Sequence, residues 1–318
     1  MKKYVFIIIL AFSLLLTGCG GAAAEAGHSH MMFAMDTVIN LTVYGEDGKA
    51  ALTAAEEELR RLEELLARGE ENSAVYAYNR SGRAEDGELA ALLARAEEIS
   101  AATAGAFDPY LGGVLDLWGF GSGAGEYHVP TAEELSAAPR LLDLGGIAKG
   151  YAGERMFECM AEHNVYAAVL DLGGDVALWG DKPNEAWRVA IKDPASGMDY
   201  LGVLETAGNR FVMTSGIYER YFEENGVQYH HVIDPQTRLP AESGLVSVTV
   251  VCESGVWADA LATACCVMGE EKAMTLRGRL AKTMPFDLIF VDADGRVRYT
   301  CNGFTPEPGT EYLYEKIA

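Results

Sequence analysis

Apolar positions along this chain repeat with two different periods, and the two alternate. From Lys49 to Arg68 the apolar residues fall at helical spacing with acidic residues on the other face, which predicts an amphipathic helix. Glu85 to Thr103 repeats that pattern. A third helix is expected from near Ile147 to about His163, fed by a Gly145-Gly146 turn, and a fourth from Val256 to Met268, entered through Ser254. Between them lie short β-branched or aromatic runs bounded by Gly or Pro: Asn40 to Tyr44, Ala167 to Asp171, Val176 to Trp179, Trp187 to Ile191, Tyr200 to Glu205, Phe211 to Thr214 and Val246 to Cys252. Leu288 to Val291 and Val297 to Thr300 read as a closing hairpin across Asp294-Gly295. Helices gathered around mostly antiparallel strands make an α+β fold. No linker interrupts residues 31–318, so they form a single domain with a mostly antiparallel sheet flanked by helices.

The N-terminus breaks both periods. Lys2 and Lys3 precede an apolar run from Tyr4 to Leu16 that ends in Leu16-Thr17-Gly18-Cys19. The run is short for a membrane span, and the small residues directly before a cysteine resemble a bacterial lipoprotein signal. Residues 1–18 are then a signal peptide. Residues 19–30 are the lipidated Cys19 followed by a flexible Gly/Ala-rich tether in which His28 and His30 are solvated spacers. The expected location is the bacterial cell membrane, lipid-anchored on the extracytoplasmic side.

Composition narrows the function. With 49% hydrophobic and 23% charged residues the chain can bury a real core, which excludes wholesale disorder and a coiled coil. Its 25 Lys+Arg against 47 Asp+Glu give a net charge of −22, and no basic run occurs beyond Lys2-Lys3, so no nucleic-acid partner is expected. An anionic ligand would have to be received by backbone amides or a metal. Setting Cys19 aside leaves Cys159, Cys252, Cys265, Cys266 and Cys301, an odd number without a C-x-x-C, which points to buried small hydrophobes rather than a disulfide framework or a zinc cluster.

Three strings carry candidate chemistry. Leu-Asp-Leu-Gly-Gly occurs at Leu142 to Gly146 and again at Leu170 to Gly174, and the first copy continues into Ile147-Ala148-Lys149-Gly150. Two glycines at a helix start let backbone amides approach an anion, and Lys149 lies in the first turn, so a diphosphate is a natural guest. A plain strand–turn–helix with Lys149 in solvent would carry the same string. In the second, Asp259 and Thr263 stand four residues apart on one helix face, and both can reach one hard cation of the Mg²⁺ kind. A satisfied polar pair has the same spacing. In the third, Tyr229 to Pro235, the adjacent His230 and His231 point to opposite strand faces and cannot share a metal, although one can serve as a general base.

Taken in order, these strings resemble a family. Ala106-Phe107-Asp108-Pro109, Leu117-Trp118-Gly119-Phe120, Leu142 to Gly150, Leu170 to Asp175, Thr214-Ser215-Gly216, His231 to Pro235 and Ala258 to Thr263 look like those of the FAD:protein FMN transferases, the ApbE-type flavin transferases with a T-fold-like architecture. The resemblance runs from Met35 over essentially the whole remaining chain. It implies an exported enzyme that cleaves the FAD pyrophosphate in a Mg²⁺-dependent reaction. FMN then goes by a phosphoester bond onto a Thr or Ser of an exported acceptor protein, and AMP is released.

The resemblance also implies that Met35, Ala106, Phe107, Asp108, Asp143, Lys149 and Ile233 hold the flavin nucleotide. The Gly146 carbonyl, Asp259 and Thr263 would hold the metal, and His231 would be the base for the acceptor hydroxyl. Three positions depart from the usual pattern: Ala67-Arg68-Gly69 replaces Ser-Thr-Tyr, Met35-Asp36-Thr37 replaces Met-Gly-Thr, and Ile217 replaces an Asp. The first removes an aromatic ring from the adenine side. It keeps open two alternatives, a metal-dependent FAD pyrophosphatase yielding FMN and AMP, and a flavin-binding lipoprotein without turnover.

Overall fold

A computed structural model of the chain describes residues 27–121, 126–196 and 199–318. The signal peptide, Cys19 and most of the tether lie outside the described residues. The first half runs β1 (His28–Ala34), β2 (Thr37–Tyr44), α1 (Gly48–Leu66), α2 (Ala74–Ser81), α3 (Gly87–Ala102), α4 (Gly112–Leu117), α5 (Ala132–Ala137) and α6 (Ala148–Ala161). Seven strands follow: β3 (Ala167–Asp171), β4 (Val176–Gly180), β5 (Trp187–Lys192), β6 (Tyr200–Thr206), β7 (Arg210–Gly216), β8 (Tyr221–Glu224) and β9 (Val227–His230). The chain closes with β10 (Leu245–Cys252), α7 (Gly255–Met268), α8 (Glu270–Leu280), β11 (Phe286–Asp292), β12 (Arg296–Tyr299), β13 (Phe304–Pro306) and β14 (Leu313–Lys316).

Nine strands form the main sheet in the order β1-β2-β3-β4-β7-β10-β11-β12-β14, antiparallel except where β12 meets β14. One face packs on the helices: Ile39, Leu41, Phe211, Met213, Val248 and Val250 share a cluster with Leu59, Leu62, Ala96, Met156 and Leu261. The other face is covered in its middle by the three-stranded sheet β13-β6-β5, where Leu178, Val212, Ile289 and Val297 meet Trp187, Val189, Leu204 and Phe304. β10 is therefore buried on both faces and is apolar apart from the buried Ser247 and Thr249, whereas β5 has one wet face and alternates strictly. A third cluster joins Val114, Trp118, Phe120, Leu135 and Ile233 to Phe222 and Tyr229 of the β8–β9 hairpin.

The α+β reading and every expected strand and helix are present, with ends shifted by a few residues. One boundary moves. His28 pairs with Val43 and His30 with Leu41, so β1 begins inside the expected tether, and His30 Nε2 lies 3.1 Å from Glu56 Oε2 rather than in open solvent. The five described cysteines are free thiols, four of them buried.

Two helices decide where the chemistry sits. α7 is apolar nearly all round because α6, β7 and β10 enclose it, and it carries Asp259 into that interior. α6 crosses it where Gly150 meets Gly255: a Cβ on either glycine would collide with the other's carbonyl oxygen. That close crossing brings the start of α6 onto the Asp259 face.

Candidate active site

The first Leu-Asp-Leu-Gly-Gly string is held from both sides. Asn79 donates its amide to the Leu142 carbonyl at 2.9 Å and accepts the Leu142 N–H at 2.7 Å, and the Asp143 N–H donates to the Pro109 carbonyl at 2.8 Å. Asp143 Oδ1 accepts the Gly145 N–H at 2.9 Å, an Asx turn that swings the chain into α6. Gly146 then lies against Phe107 and Thr263; a Cβ there would stand 3.3 Å from the Phe107 ring and 3.8 Å from Thr263 Oγ1. Three of the expected site residues thus meet at one point.

One turn further, the Lys149 ammonium is bound to Asp175 Oδ2, while Asp175 Oδ1 accepts the Thr214 N–H at 2.8 Å. Burial disfavours the Lys149 charge, but the Asp175 and Asp259 carboxylates outweigh it and hold the ammonium above the ordinary lysine range. Lys149 is therefore not a solvated side chain. Asp175, the last residue of the second Leu-Asp-Leu-Gly-Gly-Asp string, is its buried counter-ion, a role sequence reasoning left unassigned.

Asp259 is 7% exposed, and its Oδ2 accepts the Gly150 N–H at 2.9 Å. Burial, with Asp175 nearby, pushes its carboxyl well above the usual carboxylate range. The Thr263 hydroxyl lies 3.0 Å from Ser215 Oγ on β7. Among the described residues no group of three or more His, Cys, Asp or Glu is placed to hold a metal ion. What the site offers is a different donor set: one buried carboxylate with an oxygen to spare, a hydroxyl and the adjacent Gly146 backbone. Such all-oxygen donors with a single negative charge suit a hard cation that keeps further positions for water and phosphate. The crowding of Asp259, Asp175 and Glu219 supplies the charge a cation would relieve.

His230 and His231 separate as their alternation implies. His230 ends β9 opposite Tyr221, is 7% exposed, and its Nδ1 has no hydrogen-bond partner. His231 follows the strand, half-buried, with its ring 6.3 Å edge-on from Phe120. Its backbone N–H and its Nδ1 both approach the Arg220 carbonyl, at 3.1 and 3.2 Å. A carbonyl only accepts, so that contact places the proton on Nδ1 and leaves Nε2 as the lone pair. Burial and the Arg220 cation push the imidazole well below the usual histidine range, which keeps it neutral at physiological pH, with the Nε2 lone pair free but less basic than that of an exposed imidazole.

The remaining expected residues enter from other elements. Met35 occupies the tip of the β1–β2 hairpin in the left-handed region at φ 50°, followed by Asp36 at φ 59°, and its N–H donates to Glu63 Oε1 at 2.7 Å. Both tip residues have positive φ, the geometry of a two-residue type I′ turn, so the usual Gly is replaced here by Asp in a conformation Asp tolerates. Ala106 is half-buried beside Phe107, and Asp108 Oδ1 accepts the Tyr110 N–H at 2.9 Å with Arg140 at 3.6 Å. Ile233 is buried with Trp118 and Phe120. None of the contacts named above links Met35 or Ile233 directly to the Asp259 group.

A glycine-rich helix start, a lysine held on a buried carboxylate and an all-oxygen donor set stand side by side. The comparisons narrow this. The model of the ApbE family matches residues 35–285, and the chain belongs to the ApbE family. The FAD:protein FMN transferase of Treponema pallidum is 32% identical, with 88% of each chain covered, and that of Vibrio cholerae is 30% identical over 95% of this chain and 98% of its own. Among solved structures, the ApbE protein of Thermotoga maritima superposes with a TM-score of 0.76 at 31% identity, covering 85% of this chain and 96% of its own. The apo flavinyl transferase ApbE of Pseudomonas stutzeri gives 0.74 at 27% identity, covering 91% and 96%.

Proposed function

We propose that this protein is an FAD:protein FMN transferase that cleaves the FAD pyrophosphate and joins FMN through a phosphoester to a Thr or Ser of an exported acceptor protein, releasing AMP. The observation that carries the reading is the meeting of Gly146, Phe107 and Thr263 beside Asp259 and the Lys149–Asp175 pair. Family membership makes it specific to flavin nucleotides.

In this reading the acceptor oxygen attacks the phosphorus on the FMN side of the diphosphate. The bond from that phosphorus to the bridging oxygen breaks, and AMP departs with the bridging oxygen. Charge neutralisation and alignment do most of the work in such a displacement. The Gly146 amide and Lys149 receive phosphate oxygens at the start of α6, and Asp175 keeps the Lys149 ammonium in place. Asp259, Thr263 and the Gly146 carbonyl would hold Mg²⁺, which when bound supplies further neutralisation of the diphosphate. His231 Nε2 takes the hydroxyl proton, with Nδ1 fixed on the Arg220 carbonyl. Met35, Ala106, Phe107, Asp108, Asp143 and Ile233 frame the flavin nucleotide.

The N-terminal string supports a location on the extracytoplasmic face of the cell membrane, anchored through lipid on Cys19. The reading is tested by incubating the purified protein with FAD, Mg²⁺ and an exported protein carrying an acceptor Thr, followed by in-gel flavin fluorescence. A fluorescent acceptor band that is absent with Asp259→Ala supports it. AMP release without a band would favour a pyrophosphatase.

A further inference from the structure

Arg68, one of the residues that departs from the family's usual string, is not turned to solvent. Its side chain is 8% exposed, and its guanidinium spends its donors on two carboxylates. Nη1 and Nη2 form a fork on Asp116 at 2.7 and 2.5 Å, while Nε donates to Asp143 Oδ2 at 2.9 Å. The passage is built for it. A Cβ on Gly112 would stand 3.3 Å from Arg68 Cδ, and one on Gly121 would stand 2.5 Å from the guanidinium and collide with Asp116.

Asp143 thus has both oxygens engaged by the protein, Oδ1 by the Gly145 N–H and Oδ2 by Arg68. Its backbone is tied as well, through the bond to Pro109. The Asx turn that Asp143 closes sets the path of Gly145 and Gly146, so a shift of that carboxylate moves the backbone groups that face the diphosphate and the cation. Arg68 also offsets negative charge in a strongly acidic protein that must accept an anion. A planar fork fixes its acceptor's direction in a way that an ammonium cannot.

We infer that Arg68 is a positioning residue for FAD binding: braced by Asp116 and passed between Gly112 and Gly121, it holds the Asp143 carboxylate and the turn into Gly146 in the binding geometry. The inference rests on the flavin-transferase reading of Asp143.

The test is a double-mutant cycle on FAD affinity, measured by quenching of flavin fluorescence with Mg²⁺ present, alongside melting temperature. Arg68→Met keeps the aliphatic stem and should weaken FAD binding by about tenfold, the scale of a lost charged hydrogen bond. Arg68→Lys should recover only part of it. Asp143→Asn should weaken binding as well, and Arg68→Met in that background should cost little more, because the carboxylate it aligns is gone. Fully multiplicative losses, or a drop in melting temperature with FAD affinity unchanged in Arg68→Met, would overturn the positioning role while leaving the FAD reading in place. Normal FAD binding by Asp143→Asn would overturn both. Should Arg68→Met not fold, Arg68→Lys and Asp116→Asn carry the same cycle.

Discussion

The Asp259 carboxylate of α7 accepts the Gly150 N–H of α6 at 2.9 Å, at the crossing where Gly150 and Gly255 leave no room for a side chain. Helix packing and site assembly are the same event here. Gly150→Ala must drive a methyl group into the Gly255 carbonyl and push the helices apart. A loss of roughly 1–3 kcal/mol of stability is expected, together with loss of turnover per folded molecule as Asp259 and Thr263, both on α7, move away from Gly146 at the entry to α6. Denaturant unfolding and AMP release, measured on the same preparation, check this. Lost stability with full turnover would separate the two.

Asp259 is the only charged ligand assigned to the metal. Asp259→Ala should lower Mg²⁺-dependent transfer and hydrolysis together, by about a hundredfold or more. Thr263→Ala should be milder, since water can replace a neutral hydroxyl in a Mg²⁺ shell. Excess EDTA should mimic the aspartate variant. Titrating Mg²⁺ against AMP release in each variant gives the order.

His231→Ala should slow transfer by about 10²–10⁴-fold and leave FAD affinity close to that of the unaltered protein. His230→Ala should act on stability instead, because that ring is buried at the end of β9. Stopped-assay rates and FAD titrations distinguish the two substitutions, and equal rate losses would point to a structural pair.

The same histidine predicts a pH trend in stability. In the folded chain burial and Arg220 lower the His231 proton affinity, with His230 and Lys149 acting in the same direction. Unfolded histidine titrates near 6.5, so between the two values the unfolded chain binds more protons and stability rises with pH. From about pH 7.5 to 5, where Asp259 and Glu219 act in the opposite direction because burial raises their proton affinity, the His231 contribution should therefore lower the melting temperature. His231→Gln should reduce it less, and the residual slope includes His230, whose burial lowers its proton affinity too. An unchanged slope in His231→Gln would contradict the burial argument.

With the proposed lipid on Cys19 as the anchor, Cys19→Ala should leave the membrane fraction and keep its transfer activity in soluble form. Fractionation followed by immunoblotting measures it.

The long helices and the alternating or apolar strands were legible because their periods span enough residues to be unambiguous. α2, α4 and α5 were not, being six to eight residues long, nor was α8, whose buried face is only Ala273 and Leu276. The β8–β9 hairpin has only four residues per strand, and its buried side, Phe222 and Tyr229, finds its partners Trp118 and Phe120 about 100 residues away. At the site, the motifs gave the residues but not their pairings. Lys149 and Asp175 follow different copies of one string, and their ion pair exists only because the start of α6 and the turn between β3 and β4 come together. Arg68 read as a departure from a family pattern; its burial between two glycines is a tertiary fact with no local signature.

The most direct test of the central claim is the ratio of FMN bound covalently to acceptor Thr against AMP released, by mass spectrometry and chromatography of one reaction with FAD and Mg²⁺. One FMN on the acceptor is expected for each AMP, with little AMP formed when the acceptor Thr is replaced by Ala. AMP produced at the same rate with or without that Thr, accompanied by free FMN, would contradict it.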